Sequence, residues 1–326
     1  MDIYFAPMEG MTPYLFRNLH NRYFGGCDKY FTPFISTNEN ILLNHKEQRD
    51  VDPKNNEGLT LVPQIISNSA DQSAKYLCMI HDRYGYDEIN INMGCPSGCV
   101  VSKAKGSGML REPEVLEEYM KDLEKALDVI RSEGGAVPDI SIKTRIGYYS
   151  ADEYKRLTQI FLDHPVKQII IHPRSRTQMY QGIVELEAFG YMYEALTGAG
   201  IGVVYNGDIV TGKSCEQIVE RFPKLDGVMI GRGLLQNPSL ARYIKGGKPA
   251  DKEEYLRFME AVLDGYAEKI PSEKNVLAKI KDLWNFSRTA FYGNDKGYRD
   301  MFKADSIESF RVCMRQFIRN SELALE

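Results

Sequence analysis

Apolar runs of four to six residues recur along the first three quarters of the chain, each bounded by polar or turn-forming positions. They are IYFA (3–6), KYFTPF (29–34), LVPQII (61–66), DEININ (87–92), DISIKT (139–144), KQIIIH (167–172), IGVVYN (201–206) and DGVMIG (226–231). Each has the length and the β-branched or aromatic content of a buried strand. Between most of them lies a stretch able to hold a helix, such as PEVLEEYMKDLEKALDVIRSEG (113–134) or SADEYKRLTQIFLDH (150–164). Alternating strands and helices predict a parallel sheet, and eight such units predict an α/β architecture of the (β/α)8 TIM-barrel type. An open, doubly wound sheet is the alternative. Its dinucleotide-binding form carries GxGxxG after the first strand, whereas here that strand runs into APMEGMT.

The pattern changes after GRGLLQNPSLARYIKGGKPA (231–250). From there the text reads helix after helix: KEEYLRFMEAVLDGYAEKI (252–270), EKNVLAKIKDLWNFSRTAF (273–291) and SIESFRVCMRQFIRNSELAL (306–325). Gly, Pro and charge gather in KGGKPAD (245–251) and mark a boundary. The expected organisation is a catalytic barrel over 1–246 followed by a small all-α helical-bundle domain over 247–326.

Composition narrows the class. No apolar run reaches the ~18 residues of a membrane-spanning helix. The opening MDIYFAPMEGMTPY has neither a basic n-region nor an apolar h-region, so a cytoplasmic protein with no membrane partner is expected. The six cysteines (Cys27, Cys78, Cys95, Cys99, Cys215 and Cys313) are scattered, form no CxxC and have no clustered histidines beside them. That excludes a disulfide framework and leaves no metal site to expect. The net charge of −4 argues against a chain coated with positive charge. Between Lys274 and Arg319, however, ten Lys/Arg face five Asp/Glu, a local basic region on an acidic body.

In such a barrel chemistry sits at the carboxyl ends of the strands. Read in order, those ends carry Pro7, Met8 and Glu9; Thr32 and Pro33; Gln64; Asn90 and Asn92; Lys143 and Arg145; His172 and Arg174; Asn206, Gly207 and Asp208; and Gly231, Arg232 and Gly233. Glycines in YNGDI and GVMIGRG let backbone N–H groups approach a phosphate, and the loops after strands seven and eight are the usual phosphate site of the fold. Lys143 and His172, on neighbouring strands, suit an anionic ring or phosphate. Lys143 also suits a Schiff base.

Taken together, APMEGMT, NMGCPSGCVVSKAKGSGML, IKTRIGY, IHPRSRTQMYQG, YNGDI and GVMIGRGLLQNP resemble, in order, the motifs of the tRNA-dihydrouridine synthases. The resemblance implies an FMN-containing barrel and a helical domain that helps to bind tRNA; a monomer is the default expectation. It implies reduction of the C5–C6 bond of uridine in the D-loop. NADPH (or NADH) is the reductant, hydride passes from flavin N5 to C6, and a cysteine, here Cys95, gives a proton to C5. FMN would be held by Pro7, Met8, Glu9, Gln64, Lys143 and His172, with its phosphate at Asn206, Gly207, Asp208, Gly231 and Arg232. Asn92 and Arg174 would lie near the substrate uracil. Lys279, Lys281 and Arg288 would offer a surface for the RNA backbone, Trp284 reads as core of the bundle, and Lys103 and Lys105 suit either RNA phosphate or solvent. The chain departs from the family pattern at Gly98 and Cys99, at Thr32-Pro33-Phe34, and at Pro173. An FMN barrel oxidoreductase acting on a small pyrimidine-like molecule is the alternative, and RNA binding without catalysis a third reading.

Overall fold

The computed structural model describes residues 1–325. Its strands are β1 (Asp2–Phe5), β2 (Lys29–Phe31), β3 (Ile35–Ser36), β4 (Leu61–Val62), β5 (Gln64–Ile66), β6 (Glu88–Met93), β7 (Asp139–Gly147), β8 (Gln168–Ser175), β9 (Gly202–Tyr205), β10 (Gly227–Ile230), β11 (Phe291–Tyr292) and β12 (Glu322–Leu323). The helices are α1 (Tyr14–Tyr23), α2 (His45–Val51), α3 (Ala70–Tyr84), α4 (Gly98–Val101), α5 (Pro113–Ser132), α6 (Tyr154–Asp163), α7 (Leu186–Gly198), α8 (Gly212–Arg221), α9 (Arg232–Gln236) and α10 (Leu240–Ile244). They continue with α11 (Lys252–Lys269), α12 (Glu273–Ser287), α13 (Asp295–Lys303) and α14 (Ile307–Asn320). Among the described residues no helix is long and apolar enough to cross a membrane.

The chain packs as two compact units that are interleaved along the sequence. One comprises 1–7, 29–207 and 218–229; the other comprises 8–28, 208–217 and 230–326.

The first unit holds the parallel sheet. Its order is β3-β5-β6-β7-β8-β9-β10-β1-β2-β4. β2 and β3 are two pieces of one extended segment, as are β4 and β5, and β2 pairs with β4 while β3 pairs with β5. Both ends of the order therefore fall on the same pair of segments, and the sheet closes as an eight-stranded barrel. The two breaks fall at Pro33 and Pro63, residues without an N–H to give to a ladder. At the gap the Thr32 hydroxyl accepts the Gln64 N–H at 2.9 Å in place of a backbone carbonyl.

Register sets what faces inward. Asn92, Lys143, Ile170 and Val204 lie side by side across β6 to β9, and Ile170 and Val204 pack with Tyr4, Ala6, Phe31, Val62 and Met229 in the barrel core. Lys143 therefore stands on the interior face, and by strand alternation so do Arg145, His172 and Arg174. β7 and β8 run three residues past their expected ends at 144 and 172, so Arg145, His172 and Arg174 are strand residues and inherit that fixed direction. Between Arg145 and Gly147 the register with β8 shifts. The extra residue is on β8, and Pro173 lies within the bulge, where a residue without an N–H is tolerated.

The second unit is helical. α1 packs on α11, with Phe258 edge-on to Phe16 at 5.7 Å and to Phe24 at 4.9 Å. Trp284 of α12 is fully buried, as the sequence suggests, with Phe317 of α14 edge-on at 5.5 Å and Phe291 at 5.8 Å. Two features differ from a plain bundle: α13, and a two-stranded antiparallel ribbon in which Phe291 pairs with Leu323. The cations expected to face RNA are engaged inside the unit. Lys279 donates to the Gly10 carbonyl at 2.6 Å, Lys281 to the Ala304 carbonyl at 2.7 Å, and Arg288 pairs with Asp295 and the Phe291 carbonyl.

Truncating the Trp284 side chain removes the ring on which α12, α14 and the ribbon meet. Trp284→Ala should lose about 3–5 kcal/mol of stability, read as a lower urea midpoint by circular dichroism. Trp284→Phe should lose less, because the buried indole N–H has no hydrogen-bond partner to forfeit.

Candidate active site

At the carboxyl end of the barrel a chain of amides fixes the base of a polar site. The Asn92 amide donates to Gln64 Oε1 at 2.8 Å, Gln64 donates to Asn90 Oδ1 at 2.7 Å, and Asn90 donates to Ser141 Oγ at 3.0 Å. The direction of the chain is set at the Asn92 end, where the amide oxygen has two backbone N–H groups to accept, since a serine hydroxyl alone could reverse it. Asn92 Oδ1 then accepts the N–H groups of Gly94 and Cys95 at 3.1 and 2.9 Å. The Cys95 carbonyl accepts both the N–H and the hydroxyl of Ser107, at 3.0 and 2.8 Å. Cys95 is thus held on both sides of its peptide, with its thiol half-buried. The loop can fold back this closely because residue 106 is glycine. Its φ is +59°, and a Cβ there would lie 2.9 Å from the Cys95 carbonyl oxygen.

Burial raises the Cys95 thiol pKa above its usual value, against smaller lowering effects from a backbone hydrogen bond with Ser97 and from the Lys143 charge. The thiol is therefore protonated at neutral pH and able to give a proton rather than attack. Cys99 differs: it is exposed, with Ser97 Oγ at 3.1 Å from its sulfur.

Lys143 carries the opposite charge problem. Burial first, then the neighbouring Arg145, pull its ammonium down to about 7, and no carboxylate acts on it. A desolvated cation without a counter-ion fits an anionic ligand. Arg145 is also buried, yet fully committed. It donates to the carbonyls of Gly94 at 2.9 Å, Ser175 at 2.8 Å and Met179 at 2.7 Å, and lies 5.4 Å from the centre of the Tyr180 ring. Burial lowers it to about 10, which still leaves it charged.

On β8, Arg174 donates to the carbonyls of Gln181 at 3.2 Å and Gly182 at 2.6 Å, and its Nη1 lies 3.3 Å from His172 Nε2. A guanidinium only donates, so Nε2 accepts and the neutral imidazole carries its proton on Nδ1. Arg174 is 2% exposed, so it acts on the loop after β8 and on the His172 tautomer.

The glycine-containing strand ends divide between the units. In the first, Pro7 is half-buried, and Asn206 spends its amide on the Met229 carbonyl at 2.7 Å next to Gly207. In the second, Met8 forms a turn with Thr12, Glu9 is exposed, and Arg232, which follows Gly231, donates to Asp208 at 2.7 Å.

The match to dihydrouridine synthase (Dus) spans residues 4–304. The chain belongs to the dihydrouridine synthase family. The tRNA-dihydrouridine synthase B of Pasteurella multocida is 29% identical over 306 residues, which cover 91% of this chain and 80% of that protein. A probable tRNA-dihydrouridine synthase of Staphylococcus aureus is 29% identical over 326 residues, covering 96% of this chain and 92% of its own. Among solved structures, morphinone reductase superposes with a TM-score of 0.54 at 9% identity, over 77% of this chain and 87% of that one. The old yellow enzyme from Trypanosoma cruzi gives 0.53 at 10% identity, over 78% and 91%. At that identity these two establish the shared barrel fold.

Within the first unit the structure joins Gln64, Asn92 and Cys95 through hydrogen bonds, sets Lys143 and Cys95 within electrostatic reach, and joins His172 to Arg174. The residue that sequence reading left without a role is Arg145, which ties the Cys95 loop to the loop after β8. The available signal was its place two residues after Lys143 on the same strand face.

The state of Lys143 gives a pH test on the cofactor-free protein. The unfolded chain holds that proton up to about 10.5 and the folded chain only to about 7. Between those values the unfolded state binds more protons, so stability attributable to this group rises with pH. Lys143→Met should therefore be more stable than wild type below about pH 7, with the advantage vanishing towards pH 10.5, as read from urea midpoints across that range.

Proposed function

We propose that this dihydrouridine synthase reduces uridine to 5,6-dihydrouridine in the D-loop of tRNA, with FMN as its flavin and NADPH or NADH as reductant. The observation that carries the reading is the Cys95 loop, fixed by Asn92 and Ser107, standing beside the buried Lys143 amine on one barrel rim, with the thiol kept protonated by burial. Bound FMN supplies the hydride that reaches C6 of the base. That transfer leaves negative charge over C5 and the C4 carbonyl of the uracil, and the Cys95 thiol answers it by giving its proton to C5. Lys143 supplies positive charge in a water-poor site, where it counts for more than in solvent. Gln64, Lys143 and His172 are the residues of the first unit suited to hold the flavin ring, with His172 presenting its Nδ1–H as donor. Pro7, Asn206 and Gly207 would add contacts from neighbouring strand ends. Met8, Glu9, Asp208, Gly231 and Arg232 are cofactor candidates on the motif resemblance alone.

Asn92 acts on this reading mainly through Cys95, since its carbonyl oxygen is spent on the Gly94 and Cys95 amides. The uracil has to leave its stack in the tRNA to reach the rim. Residues 247–326 form the candidate tRNA-binding part, by way of lysines and arginines other than those tied up internally. The relatives named for tRNA-dihydrouridine synthesis and the shared flavoenzyme barrel support this reading.

Cys95→Ala should retain FMN and its reduction by NADPH, yet lose uridine reduction in tRNA by roughly 10²–10⁴-fold, scored by mass spectrometry of tRNA nucleosides. Cys99→Ala should stay within a few-fold of wild type. Equal dihydrouridine yield from Cys95→Ala would reject the acid role, and an equal loss from both variants would implicate the second thiol.

A further inference from the structure

The segments after β6, β7 and β8 together place four more groups beside the rim, and the mechanism above uses none of them. Tyr148 and Tyr149 follow β7, Arg176 follows β8, and Arg111 ends the loop that begins at Cys95. Arg111 donates to the Tyr148 hydroxyl at 2.9 Å with its guanidinium 4.9 Å from the ring centre. The Arg176 guanidinium lies 5.6 Å from the same centre, and its buried Nε has no hydrogen-bond partner. Among the described residues neither arginine forms an ion pair, unlike Arg156, Arg221 and Arg242, which bond to carboxylates.

Glu112 acts on the Arg111 charge without forming an ion pair with it, and Glu153, the acid of the turn, is engaged elsewhere. The Glu153 carboxylate accepts the N–H groups of Tyr148, Tyr149 and Ser150 at 2.7, 2.9 and 2.9 Å and so caps the turn. The Tyr149 carbonyl accepts from Thr177 Oγ1 at 2.8 Å, while the Arg176 and Thr177 amides bond the Gly147 and Tyr148 carbonyls. The backbone is thus fixed from both sides. The Tyr149 ring nevertheless stands 60% exposed, edge-on to Tyr148 at 4.7 Å.

Two cations on one ring without an ion-pair partner, beside a rigidly mounted exposed aromatic face, match a nucleic-acid strand whose bases are unstacked: phosphate for the arginines, a base for the tyrosine. We infer that Arg111, Tyr148, Tyr149 and Arg176 form a platform that binds a nucleotide flanking the target uridine. The inference rests on the RNA reading of the active site. It adds a second point of attachment that keeps the strand open once the target base has left the stack. Tyr148 is the positioning residue, buried between the two arginines, and Tyr149 supplies the stacking surface.

The test measures unmodified tRNA transcripts in two ways, by dissociation constant and by steady-state dihydrouridine formation. Tyr149→Ala, at an exposed site, should weaken binding and raise KM roughly ten-fold, while Tyr149→Phe, which keeps the ring face, should restore both. Arg111→Gln and Arg176→Gln should each lower the slope of log Kd against log salt by about 0.7. Flavin content and melting temperature report that each variant is folded. If wild type makes no dihydrouridine, the functional reading fails on its own account, and the binding measurements still judge the platform. If Tyr149→Ala binds tRNA as wild type does, the platform is overturned. It is overturned equally if Tyr149→Ala weakens heparin, a polyanion without bases, as much as it weakens tRNA, since that would reveal a surface that reads charge alone.

Discussion

A single guanidinium organises the catalytic rim. Arg145 gathers three backbone carbonyls, one from the loop of Cys95, one from the end of β8 and one from the loop after it, and does so from inside the barrel. Each is satisfied by a charge-assisted bond. The orientation of the thiol depends on Gly94, which Arg145 holds from one side and Asn92 from the other. The cost is borne next door. Arg145 helps to depress the Lys143 ammonium, so the residue that fixes the rim also leaves its neighbour in need of negative charge.

That need gives the amide chain its significance. Asn92, Gln64, Asn90 and Ser141 are uncharged, so they fix geometry without adding a carboxylate that would compensate Lys143. An acid in place of Asn92, the register neighbour of Lys143, would put a carboxylate beside the lysine. The rim thus combines neutral hydrogen bonding with a buried amine and a thiol kept neutral by burial.

The eight barrel strands were legible because a strand buried on both faces writes itself as a short apolar run, and the two that break do so at prolines the sequence displays. Gln64, Lys143, Arg145 and His172 were legible as polar residues at strand ends, and Cys95 through the motif resemblance. The role of Arg145 was not legible, because its partners are carbonyl oxygens of Gly94, Ser175 and Met179, and a carbonyl has the same sequence signature at every position. The carbonyl bonds of Lys279, Lys281 and Arg288 were equally invisible. Charge can be counted along a chain, but the backbone oxygens that engage these side chains cannot. The β11–β12 ribbon is two residues a side, too short for any period to register. Nothing in the text of α1 names the helix it packs against, α11.

That partner has a consequence for how the chain comes to be folded. The contacts of Phe16 and Phe24 with Phe258 join segments more than two hundred residues apart. At about 5–20 residues per second of synthesis, α1 waits roughly ten to fifty seconds before the helix that covers it has been made. Through that interval an amphipathic helix near the amino terminus stays open to solvent and chaperones while later strands are still being added. Completion of the helical unit is therefore a late event, set by ribosome speed rather than by the quick local steps of helix formation.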